Sequence, residues 1–161
     1  MSVVLRQFAT TLKSKPLSAQ QIHAYPSPRE PYAMTILPIY AGLLALLFVL
    51  LSVRTIRTRH RQKVALGHGD DPAMLRAMRV HANFAEYVPL ALLLIYFVET
   101  GSHAPWLVHL LGSALLLGRL CHAFGMSRTP ENFRYRVVGM GLTFTVILLS
   151  AACLLLTALL S

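Results

Sequence analysis

The chain of 161 residues is both apolar and basic: 55% of its residues are hydrophobic, and its formal net charge is +9. A mean hydropathy of +0.57 with only 13% charged residues argues against a soluble globular domain and against disorder. Two cysteines exclude a disulfide scaffold and any site that needs four cysteines. Basicity alone suggests nucleic acid as a partner, so the interpretation depends on where the charges lie.

The chain divides into a polar start and a long apolar remainder. Residues 1–33 are rich in proline and polar side chains, which predicts a flexible or interfacial N-terminal tail. Residues 34–161 contain uncharged runs long enough to cross a hydrocarbon core of about 30 Å. They predict an all-α, integral membrane four-helix bundle with spans at about 35–57, 73–99, 104–125 and 133–160. Asp71 followed by Pro72 is typical of a helix start and supports the second span.

The loop charges predict an orientation in the membrane. Five cations lie in the first connection, namely Arg54, Arg57, Arg59, Arg61 and Lys63, and the third holds Arg128, Arg134 and Arg136. The second connection carries no cation. The positive-inside rule therefore places both basic connections in the cytoplasm and both termini on the other side. Much of the charge lies beside membrane spans, which favours membrane lipids over nucleic acid as its partner.

The second helix carries polar residues that topology does not explain: Arg76, Arg79, Asn83, Glu86 and Tyr87. At about 100° per residue they share an arc of about 100°, so they form one stripe. A solvated helix face explains the stripe equally well near Arg76. It explains less at Glu86, because a carboxylate in an apolar run is costly unless it is paired or faces a site.

Arg119 and His122, spaced i, i+3 on the third helix, form a second polar pair. Taken alone, Arg119 is as well explained by snorkelling to the headgroups, and His122 by a hydrogen bond in a helix interface. Together with the stripe, they suit a small ligand with several carboxylates and one ammonium, such as glutathione. An adjacent arginine would favour the glutathione thiolate over the thiol. The scattered histidines predict no metal site.

The segment from Arg79 through Asn83 and Glu86 to Pro89 resembles the second-helix signature of the MAPEG family, the membrane-associated proteins in eicosanoid and glutathione metabolism. The likeness continues through Gly118–His122 and Phe133–Arg136 and covers roughly residues 35–160. It looks closest to the bacterial inner-membrane branch. The resemblance implies a homotrimer that binds glutathione as co-substrate between neighbouring subunits, on the cytoplasmic side.

The resemblance also implies roles for individual residues. The glutathione contacts would be Arg79, Asn83, Glu86, Tyr87, Arg119 and His122, with Arg57 as a looser match. The arginine that activates the thiol would be Arg134 or Arg136, and the distance from His122 favours Arg134. Met126 stands where eicosanoid-type members carry a tyrosine, which favours a general glutathione transferase or peroxidase acting on lipophilic small molecules.

Two other kinds of protein remain possible from the sequence. One is a non-catalytic membrane protein that binds an anionic lipid or a thiol metabolite through the same arginines. The other is a small transporter subunit that uses Glu86 and Arg79 as a relay.

Overall fold

A computed structural model describes residues 36–101, 105–128 and 132–160 of the chain. That part consists of four helices and contains no strand. The helices are α1 (Leu37–Gln62), α2 (Pro72–Gly101), α3 (Pro105–Ser127) and α4 (Phe133–Leu160). Each is long and apolar enough to cross a membrane, which confirms the all-helical, four-span prediction. The predicted tail, residues 1–33, lies outside the described residues.

The connection between α1 and α2 follows from local chemistry. Helix α1 extends past the predicted end at residue 57 and stops where Lys63 takes a left-handed conformation, with φ of 53°. Basic residues in its last turn face the carbonyl end of the helix dipole. Helix α2 begins at Pro72, and the Asp71 carboxylate accepts the Met74 N–H at 2.6 Å, the side-chain cap expected of an Asp–Pro start.

Long-range hydrogen bonds at both ends of the bundle fix the helices in an up-and-down arrangement. At one end, the Glu99 carboxylate of α2 accepts the backbone N–H groups of Ile36 and Leu37, at 2.9 and 3.1 Å, at the start of α1. At the other end, the Arg54 guanidinium of α1 donates to the hydroxyl and, at 3.2 Å, to the carbonyl oxygen of Ser127, which ends α3. This second end carries the α1–α2 and α3–α4 connections, and we call it the connection end.

The most intimate helix contact in the described part is that between α3 and α4, and it depends on two glycines. A Cβ placed on Gly139 would lie 2.5 Å from the Gly118 carbonyl oxygen and 2.6 Å from the His122 backbone nitrogen. Small residues allow helix backbones to approach this closely, which is how helices commonly pack in membranes. The crossing brings α4 directly beside the polar residues of α3.

Candidate functional site

Arg119 is the centre of a polar cluster inside the bundle. Its side chain is 1% exposed, yet it lies on a membrane-length helix, so it does not snorkel to the surface. Its Nη2 atom donates to Asn83 Oδ1 of α2 at 2.6 Å and to His122 Nδ1 at 3.3 Å. Its Nη1 atom donates to Thr143 Oγ1 of α4 at 3.4 Å. We call these four residues the inner cluster.

The remaining surroundings of the Arg119 guanidinium are apolar or weakly polar. It lies 5.7 Å from the centre of the Phe84 ring, and Nη1 is 3.8 Å from Met140 Sδ. The Nε atom is buried and has no hydrogen-bond partner among the residues that the structure describes. Within the described residues no carboxylate pairs with this guanidinium. A cation held in a protein interior by neutral groups alone is unusual, because burying an unpaired charge is costly.

The glycine crossing explains why the cluster forms. Gly118 and Gly139 bring the α3 and α4 backbones together one residue before Arg119 and four before Thr143. The Thr143 hydroxyl donates to the Gly139 carbonyl oxygen at 2.9 Å, so its lone pairs remain available to the Arg119 guanidinium. The inner cluster is therefore formed by the packing of three helices within one subunit.

Four members of the predicted α2 stripe lie outside this cluster, namely Arg76, Arg79, Glu86 and Tyr87. Arg79 and Glu86 are exposed, and neither forms a hydrogen bond or ion pair with another described residue. Glu86 lies near the middle of the 30-residue helix α2, about 21 Å from its first residue at 1.5 Å per residue. Tyr87, at the inner edge of the stripe, is half-buried and makes an edge-on contact with Phe144 of α4, with ring centres 5.4 Å apart. We call the surface that carries Arg79 and Glu86 the outer face of α2.

The predicted arginines of α1 and α4 lie at the connection end and are exposed. They are Arg57, Arg134 and Arg136. The backbone of Arg136 lies against Gly125 of α3, where a Cβ would be 2.8 Å from the Arg136 nitrogen. Arg136 also lies about one helical turn before Gly139, whose added Cβ would be 2.6 Å from the His122 backbone nitrogen. No described contact joins Arg57 or Arg134 to the inner cluster.

Sequence reasoning missed three residues that shape the region. Thr143 and Phe84 surround the Arg119 guanidinium, and Arg54 binds the end of α3. A single threonine in an apolar helix is a weak signal, because threonine often bonds only to its own helix. Arg54 lies within a run of cations that topology already explains. For a metal ion, the described residues offer no group of three or more histidine, cysteine or acidic side chains.

Four apolar helices with the inner cluster between them define an integral membrane protein that holds hydrogen-bonded polar side chains inside its apolar part. Comparison with known proteins identifies the family. The sequence profile of the MAPEG family matches residues 37–156, and the chain belongs to that family.

Curated relatives agree with this assignment. Inner membrane protein YecN from two strains of Escherichia coli, K12 and O6:H1, is 39% identical to the chain over 111 residues. The alignment covers 69% of this chain and 83% of each relative. Both relatives are named only by their place in the inner membrane.

Proposed function

We propose that the chain is a glutathione-dependent transferase or peroxidase of the inner membrane that acts on lipophilic electrophiles. The observation that carries this proposal is the outer face of α2. There, a cation and a carboxylate, Arg79 and Glu86, are exposed on a membrane-length helix without partners in the described part of the subunit. Charged groups at such a depth are usually covered by protein or bind a charged ligand.

Glutathione has the complementary charges. Arg79 would hold one of its carboxylates and Glu86 its ammonium, while Asn83 and Tyr87 line the inner edge of the same stripe. A neighbouring copy in a homotrimer would cover the outer face and close the site between subunits. In this proposal the connection end faces the cytoplasm, where the positive-inside rule places its arginines.

An arginine at the start of α4 would stabilise the glutathione thiolate. As a transferase, the thiolate would form a C–S bond to an electrophilic carbon of a lipophilic substrate from the bilayer while the leaving group of that substrate departs. As a peroxidase, it would attack the O–O bond of a lipid hydroperoxide and release the alcohol, and a second glutathione would then form the disulfide and water. Arg134 and Arg136 are both candidates. The backbone contact of Arg136 with Gly125, and its position one turn before the contact between Gly139 and His122, favour Arg136 over Arg134. The exposed Arg57 would contribute to the entrance of the site. Arg119 and His122 are buried, so they would support the site from inside the subunit.

Conjugation of glutathione to a model aromatic electrophile by the detergent-purified chain tests this proposal. We expect Arg79→Ala to raise the KM for glutathione tenfold or more, since it removes a charged carboxylate contact worth roughly 1.5–3 kcal/mol. Arg136→Ala should lower kcat more than Arg134→Ala does. Arg61→Ala, which removes another exposed arginine of the connection end, is the matched control and should leave both constants unchanged.

Two results contradict the proposal and favour its rivals. If glutathione neither binds nor reacts, and anionic lipid binds in a way that depends on Arg79, the chain is a non-catalytic binding protein. Uptake into proteoliposomes without any conjugation would indicate a transporter subunit.

A further inference from the structure

The hydrogen bonds of the Arg119 guanidinium determine which atoms of Asn83 and His122 face it. A guanidinium has only N–H donors and no acceptor, so every group that bonds to it must supply a lone pair. Arg119 Nη2 bonds to Asn83 at 2.6 Å and to His122 at 3.3 Å. Asn83 must therefore turn its oxygen towards Arg119, and His122 must present an unprotonated Nδ1.

We propose that Arg119 is a positioning residue that turns the Asn83 amide so that its NH₂ group faces the ligand, which makes this part of the site select a carboxylate. The proposal rests on the proposed function for the identity of the ligand, glutathione. It assigns Arg119 no contact with the ligand, because its side chain is buried.

The orientation of the amide is fixed by the chemistry of its surroundings. Turning the amide over would place its NH₂ group 2.6 Å from the guanidinium, donor against donor, and no carboxylate of the described residues pairs with that guanidinium. Within the described residues the Asn83 nitrogen donates to no protein group, and the side chain is half-buried rather than enclosed. Its two N–H donors therefore remain available at the edge of the site.

These donors lie beside the outer face of α2. Asn83 is one helical turn after Arg79 and one before Glu86, so the NH₂ group and the Arg79 guanidinium can approach the same ligand group. Both are donors, and a carboxylate accepts from both. An ammonium finds its acceptor at Glu86 instead. By turning the Asn83 NH₂ group towards the ligand, Arg119 therefore determines that the carboxylate of the ligand lies beside Arg79 and its ammonium beside Glu86.

The tautomer of His122 tests the direction of the Arg119 hydrogen bonds independently of any ligand. If its Nδ1 accepts from Arg119, the ring proton of the neutral side chain is on Nε2. Nitrogen NMR of the histidine-labelled full chain in detergent distinguishes the two tautomers, with His122→Gln used to assign the signal. We expect the Nε2–H tautomer in the wild type and a mixture of tautomers in Arg119→Met.

Variants of Asn83 test the consequence for binding. Asn83→Asp keeps an oxygen for Arg119 but has no N–H to offer, so it should unfold at the same or a higher temperature than the wild type. Its Kd for glutathione should rise tenfold or more. Asn83→Leu removes the donors without adding a charge and should weaken binding as much, whereas Thr143→Val removes a different partner of Arg119 and should change Kd less than twofold.

The outcomes separate the two proposals. If the wild type does not bind glutathione, the proposed function fails. The tautomer of His122 then still decides whether Arg119 donates to both of its partners and so orients the Asn83 amide. If the wild type binds but Asn83→Asp or Asn83→Leu binds equally well, the positioning role is wrong. A wild-type His122 with its proton on Nδ1 overturns it as well.

Discussion

The inner cluster and the outer face of α2 contain similar side chains in opposite situations. In the inner cluster, Arg119 is buried and three helices of one subunit supply its partners. On the outer face, Arg79 and Glu86 are exposed and have no partner in the described part of the subunit. Asn83 belongs to the same helical stripe and joins the two regions.

This difference separates polar residues whose hydrogen bonds are made within a single subunit from polar residues whose partners must come from a ligand or another subunit. Polar groups in an apolar bundle are retained either because packing supplies their hydrogen bonds or because a ligand or another subunit does. The inner cluster fits the first description and the outer face the second. Loss of the Arg119 guanidinium from the inner cluster should therefore affect stability and binding together, whereas changes to the outer face should affect binding alone.

The largest expected effect comes from breaking the inner cluster at its glycine crossing. Gly139→Val places methyl groups against the Gly118 carbonyl and the His122 backbone, so α3 and α4 must separate. We expect a loss of about 3 kcal/mol in the free energy of unfolding, measured by thermal unfolding in detergent. Gly141→Val, two residues along α4, is the matched control because nothing lies within 4 Å of its added Cβ. Equal stability of the two variants would contradict the close crossing.

A smaller effect is expected at the end of the bundle remote from both regions. Glu99→Leu removes the acceptor for two N–H groups at the start of α1 and should cost about 1.5 kcal/mol of stability. Glutathione affinity should not change, since Glu99 lies at the end of the bundle opposite the connection end. The control is Thr100→Val, whose hydroxyl donates, among the described residues, to carbonyls of its own helix. Loss of affinity in Glu99→Leu would show that the two ends of the bundle are coupled.

The smallest expected effect on stability belongs to the outer face. Arg79→Gln and Glu86→Gln should each change the free energy of unfolding of the ligand-free protein by less than about 0.5 kcal/mol, because in the proposed site their partners come from the ligand and not from protein groups. Thermal unfolding without glutathione measures this directly. A loss of 2 kcal/mol or more in either variant would mean that protein groups already satisfy these side chains, and the contrast with the inner cluster would disappear.

Much of the fold could be predicted from the sequence because its signals are local. Uncharged runs of membrane length predict the four helices, and Asp71 before Pro72 predicts where α2 begins. The stripe on α2 follows from helical periodicity alone. Its residues do lie along one side of the helix, with Tyr87 half-buried at one edge and Glu86 exposed at the other.

The sequence could not predict which polar residues are buried in the inner cluster and which are exposed on the outer face, because this depends on contacts between distant residues. Whether Arg119 snorkels or is buried is decided by Gly118 and Gly139, which bring α4 close enough for Thr143 to reach it. The bond between Glu99 and the start of α1 joins residues 62 and 63 positions apart. Neither arrangement leaves a pattern within a single helix. The roles of the site residues in binding glutathione remain predictions.

Thermal unfolding of the purified full chain with and without glutathione tests the central claim most directly. A ligand that binds only the folded state must stabilise it, by about 2.7 kcal/mol at a concentration of one hundred times its Kd. We expect glutathione to raise the unfolding temperature of the wild type, and to do so less in Arg79→Gln. Glutathione diethyl ester, which lacks both carboxylates, should have little effect on the wild type. An unfolding temperature that glutathione leaves unchanged at every concentration would contradict the account.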